Sequence, residues 1–93
     1  MNSITYRRCC DTRWTVEPDG IVLWNLATGA RLPLGYPQAA VWDLASRCDS
    51  EERITRKIGA IAGLEPGAAG RLVRESLAEW ARAGFLVPEA GDG

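Results

Sequence analysis

Two hydrophobic rhythms divide the chain. Between Trp14 and Leu34 apolar residues tend to alternate with polar ones, and from Pro37 onward they recur at three and four positions. Trp14-Thr15-Val16-Glu17 reads as a short strand. Glu17-Pro18-Asp19-Gly20 reads as a turn, because proline fixes φ and Asp-Gly tolerates positive φ. Ile21 to Leu26 is a run of β-formers broken only by Asn25, and is expected to be the best-buried strand. Ala27-Thr28-Gly29 is a second turn. Ala30, Leu32 and Leu34 then alternate with Arg31 and Pro33 as a third strand. This spacing predicts an antiparallel meander. Pro33 cannot donate to a ladder, so the third strand is expected at an edge, where a free side can template an incoming chain.

The second rhythm predicts three helices. Pro37 suits a first helical turn, and Ala40, Val41, Leu44, Ala45 and Cys48 follow at helical spacing, giving a helix over about residues 37–47. Cys48 is expected as a small buried apolar residue near its end. Asp49 or Ser50 caps a second helix, with Glu51 and Glu52 placed to complement the dipole. Ile54, Ile58 and Ile61 share one face of it; Arg53, Arg56 and Lys57 lie mostly on the other, and Gly63 ends it. Gly59 inside this helix suggests a close helix contact. Pro66 starts a third helix with the apolar stripe Leu72, Val73, Leu77, Trp80 and Ala81, and Gly84 is its natural terminator. Phe85-Leu86-Val87 is expected to pack back as a short tail ended by Pro88. Three helices covering the bare face of a three-stranded sheet make an α+β domain. Its expected limits are residues 13–87, with 1–12 a flexible N-terminal arm and 88–93 a disordered tail.

Composition narrows the function. The chain has 93 residues, of which 46% are hydrophobic and 25% charged, a globular balance sufficient for one small core. The net charge of −1 opposes a surface built to neutralise phosphates. The sequence has no histidine, which excludes His general bases and His-ligated metals. Cys9, Cys10 and Cys48 lack the paired spacing of a zinc site, and their odd number, with no signal-like apolar core near Met1, leads us to expect reduced thiols in a cytoplasm. No apolar run is long enough to span a membrane. The expectation is therefore a protein that is not an enzyme, with no metal, no cofactor, no nucleic acid and no membrane as partner. Among the tryptophans, Trp42 and Trp80 fall on or beside helical core stripes. Trp24 lies on the middle strand, whose Ile21-Leu23 and Val22-Trp24 faces are both apolar; the face not in the core is a candidate partner surface.

One ordered set of residues resembles a known family. Gly20-Ile21-Val22-Leu23, Thr28-Gly29, Leu34, Ala39-Ala40-Val41-Trp42, Cys48-Asp49, then Val73, Leu77, Trp80 and Gly84-Phe85-Leu86 fall in the order and spacing of the PqqD-like family. That fold is also called the RiPP recognition element, the leader-peptide-binding domain of ribosomally made, post-translationally modified peptide pathways. The resemblance covers about residues 13–87. Gly35, Ser50 and Leu72 stand where the family often has Asn, Gly and Asp.

The resemblance implies a winged helix-turn-helix-like, stand-alone peptide chaperone. A precursor's leader would lie as an added strand against the third strand, with the third helix as the other wall. The implied groove takes Arg31, Leu32, Pro33 and Leu34 from the strand and Arg71, Arg74, Glu75 and Ala78 from the helix, with Arg71 and Arg74 placed to pair with acidic leader residues. Implied partners are the precursor peptide and a modifying enzyme such as a radical S-adenosylmethionine protein, a cyclase or a protease. The rival is a winged helix-turn-helix DNA-binding regulator with Arg71, Arg74 and Arg82 toward phosphate, which Glu75, Glu79 and the net charge oppose. A third reading is an adaptor subunit of one enzyme.

Overall fold

The structure, a computed structural model, describes residues 5–8, 10–47 and 50–89. The predicted meander is present as β2 (Thr12–Glu17), β3 (Gly20–Asn25) and β4 (Arg31–Leu34), in the order β2-β3-β4 and antiparallel throughout. Three helices follow: α1 (Gln38–Ala45), α2 (Glu51–Ala62) and α3 (Pro66–Arg82). The α+β class and the strand-then-helix order are those expected.

Alternation along β3 and β4 sends Ile21, Leu23 and Leu34 inward, where they meet Val41, Trp42 and Ala45 of α1, Ile54 and Ile58 of α2, and Val73, Leu77 and Trp80 of α3. Trp42 is the centre of this core. Trp14 and Trp80 both meet its ring edge-to-face at 5.5 Å, contacts that contribute about 0.5–1.5 kcal/mol each beyond buried area. Each helix end has a local cause. Pro37 takes the N-cap position of α1. The Ser50 hydroxyl accepts from the Arg53 N–H at 3.3 Å, and Gly63 closes α2 in the left-handed region.

Several boundaries differ from the sequence reading. The middle strand stops at Asn25, because the Asn25 side-chain oxygen accepts from the Ala27 and Thr28 N–H groups and starts the turn. Leu26 is consequently exposed, and Ala30 falls outside β4. Ile61 shares the sequence face of Ile54 and Ile58 but is 57% exposed, since it falls in the last turn of α2 where the core ends.

Two further strands lie at the flanks of the expected domain. Thr5–Arg8 (β1) pairs antiparallel with Leu86–Glu89 (β5), from Thr5 opposite Glu89 to Arg8 opposite Leu86. The stretch expected as an arm thus contains a strand, and Pro88 lies within β5 rather than ending the tail. A pairing across nearly the full length of the chain leaves no local period to read. Thr12, expected in the arm, is buried, and its hydroxyl donates to the Phe85 carbonyl at 3.0 Å. Cys9, Cys48, Asp49 and residues 90–93 lie outside the described residues.

Candidate functional site

β4 is an edge strand, and its parity determines what that edge offers. The Asn25 N–H bonds the Ala30 carbonyl at 2.9 Å. In an antiparallel ladder the bonded pairs then recur at every second position, so Leu23–Leu32 and Ile21–Leu34 face each other through hydrogen bonds. The main-chain groups of Arg31 and Pro33 consequently point to the free side. This explains how the sheet accommodates Pro33: its missing donor falls on the side where no ladder exists. The edge offers an incoming strand the Arg31 N–H and the carbonyls of Arg31 and Pro33.

Beside that edge runs a cleft of about 410 Å³ with α3 as its other wall. Leu32, Pro33, Leu34 and Gly35 line it from the strand side; Leu72, Glu75, Ser76, Glu79 and Trp80 line it from α3; Gln38 closes it from α1. Leu72 and Trp80 give it an apolar floor. Ser76 is only 6% exposed and makes no side-chain hydrogen bond among the described residues. Glu75 and Glu79, one turn apart on α3, are the charged residues lining the cleft.

The predicted site residues divide. Leu32, Pro33, Leu34 and Glu75 lie on the cleft. Arg31 lies at the same edge, but its side chain is on the outer face of the sheet, with the guanidinium 5.3 Å from the centre of the Trp24 ring. Arg71 and Ala78 are not among the residues lining the cleft. Arg74 is directed to the opposite side of α3, where its Nε lies 3.8 Å from the Glu51 carboxylate on α2. The charged residues that α3 brings to this cleft are therefore Glu75 and Glu79, and Arg71 and Arg74 are not among its lining. The cleft-facing stripe of α3 is Leu72, Glu75, Ser76 and Glu79, at i, i+3, i+4 and i+7. Leu72 serves both sides: it packs against the core, as its place in the apolar stripe predicts, and it also lines the cleft.

The second apolar sheet face proves to be the outer one. There Trp24, 38% exposed, is flanked in register by Arg13 and Arg31, and Val22 lies beside Pro33. A further hollow of about 470 Å³ lies beside α2, lined among others by Gly59, Leu64 and Pro66, away from any strand edge. Among the described residues no three His, Cys, Asp or Glu side chains converge as a metal site, and no helix is long and apolar enough to cross a membrane.

Against known proteins, no family model and no curated protein matches the chain. Solved structures do. One, described as TbiB1 in complex with the TbiA(beta) leader peptide, superposes with a TM-score of 0.82 at 22% identity, over 87% of this chain and 94% of that one. Another, a lasso peptide synthetase B1 complexed with the leader peptide, gives 0.81 at 16% identity, over 89% and 98%. This chain has the fold of those two leader-peptide complexes.

Proposed function

We propose that the chain is a non-catalytic recognition protein. It binds the leader of a ribosomally synthesised precursor peptide by adding a strand to β4, and it presents the attached core to a separate modifying enzyme. The observation that carries this reading is the free main-chain edge of β4 facing an unfilled cleft, in a fold shared with two proteins solved as leader-peptide complexes. Strand addition draws affinity from main-chain bonds and specificity from alternate side chains. The bonds offered by Arg31 and Pro33 contribute together only about 2–4 kcal/mol net. Micromolar binding needs about 8 kcal/mol, so peptide side chains seated over Leu72 and Trp80 must supply the rest. Function then follows from tethering, because a bound leader raises the effective concentration of the core peptide at an enzyme that engages both.

The test is a nuclear magnetic resonance titration with synthetic leader peptides taken from short reading frames beside this chain's gene. Amide shifts concentrated on residues 31–35 and 72–80 are expected. Shifts centred on α2, or binding to random duplex DNA with a steep salt dependence, would replace the reading.

A further inference from the structure

The lining of the cleft indicates which side chain it takes. Its polar groups are acceptors or can act as such: the Glu75 and Glu79 carboxylates, the Ser76 hydroxyl and the Gln38 side-chain carbonyl. No basic side chain lines it. Arg71 precedes Glu75 by one turn and Arg82 follows Glu79 by nearly one, yet neither forms an ion pair with these glutamates among the described residues. Ser76 adds an available polar group between the two glutamates. The residue is 6% exposed, its hydroxyl makes no hydrogen bond among the described residues, and its oxygen is not sealed from solvent, so it stays open to a group entering the cleft.

We infer that the groove selects a leader carrying a lysine or arginine at the position that faces α3, its aliphatic stem over Leu72 and Trp80 and its charged head between Glu75, Glu79 and Ser76. This deepens the strand-addition reading and rests on it. A cationic head has only donors to offer, matching a rim that can accept, and the stem of either residue covers apolar surface while the head reaches polar groups. An acidic leader residue at this position meets two carboxylates of its own sign. A metal ion is a poorer occupant, since no third carboxylate or thiol joins the pair among the described residues.

The test is a selection of short random peptides displayed on phage, run on the parent protein, on Glu75→Gln/Glu79→Gln and on Glu75→Lys/Glu79→Lys. Both glutamates are exposed, so melting curves of the neutral variant should match the parent. On the parent, a lysine or arginine should be enriched at one position with apolar residues at alternate positions. A selected peptide should bind the neutral variant about five- to tenfold more weakly, since exposed charge pairs are individually small. Replacing its lysine by norleucine should abolish the difference between the two proteins. On the charge-reversed variant the enrichment should move to Asp or Glu. Peptides that shift residues 31–35 and 72–80 yet show a neutral or acidic consensus, or bind the neutral variant equally well, overturn the cationic selection and leave strand addition standing. Selected peptides that leave that groove unshifted, or no selected peptides at all, overturn both.

Discussion

The two sides of α3 are built on opposite terms. Toward α2 the helix is joined through small residues: a Cβ placed at Gly59 would lie 3.7 Å from the Ala69 Cβ and 3.4 Å from the Leu64 carbonyl oxygen, and one at Gly70 would lie 3.8 Å from a Thr55 methyl. Ile54, Ile58, Val73 and Leu77 are wholly buried across that seam, and Arg74 bridges to Glu51 at its rim. Toward β4 the same helix presents Leu72, Glu75, Ser76 and Glu79 to an unfilled cleft. Side chains there face solvent and bury less apolar surface than those in the seam, so this side does less for the fold than tight packing would. The difference separates two duties on one helix: the α2 side holds α3 in place, and the β4 side is left for an incoming strand. Substitutions on the first should change stability, and those on the second should change binding.

The strongest test of that separation lies in the scaffold. Trp42→Ala removes the ring that Trp14 and Trp80 both meet and should cost about 3–5 kcal/mol. Domains of this size are stable by about 5–15 kcal/mol, so thermal denaturation should show a collapse of the melting temperature, with any loss of peptide binding following the loss of folded protein. Next in size is Gly59→Leu. Overpacking the α2–α3 seam should cost about 1–3 kcal/mol, while the fraction still folded binds peptide with parental affinity. A binding defect in folded Gly59→Leu protein would show that the two sides of the helix are coupled.

The scaffold was more legible in the sequence than the cleft, for physical reasons. Hydrophobic period and turn chemistry are local, so the meander, the three helices and the Trp42–Trp80 core could be read directly. The β1–β5 pairing joins the two ends of the chain and leaves no local mark. Pro33 revealed the edge strand, because one missing donor constrains where a strand can sit. Which residues of α3 face the cleft depends on the rotation of the helix, which local spacing leaves open. Leu72 adjoins Val73 and fits the core stripe in sequence, yet a half-buried leucine at a cleft and a buried one look alike there. Arg74 attracted a binding role by its charge, and only the position of Glu51 shows that it belongs to the seam.

Pro33 gives a smaller effect of opposite sign on each side of the comparison. Pro33→Ala restores a main-chain N–H pointing to the free edge. It should tighten a strand-adding peptide by about 0.5–1.5 kcal/mol, or about two- to tenfold. It should also lower stability by about 0.4–1 kcal/mol through the greater freedom of the unfolded chain. Calorimetric titration beside a melting curve reads both. Unchanged affinity would mean that the bound strand pairs only with Arg31 and leaves the Pro33 position unbonded.

The smallest expected effects are the most discriminating, because they decide which charges form the wall. Arg74 is 67% exposed in its bridge to Glu51, and an ion pair so open to water contributes about 0–0.5 kcal/mol. Arg74→Ala should therefore shift the melting temperature only slightly, and peptide affinity should stay within about twofold, since the side chain is on the α2 side of the helix. Arg71 is exposed and absent from the cleft lining, so Arg71→Ala should behave alike. If a peptide must instead place an acidic residue against α3, these two substitutions become the damaging ones and loss of Glu75 and Glu79 becomes harmless or favourable. Measuring both arginine variants against one leader peptide sets these opposite rankings side by side. A tenfold loss in either arginine variant, with the melting curve intact, would return the arginines to the binding wall and remove the division of α3 into a sealed side and a receiving one.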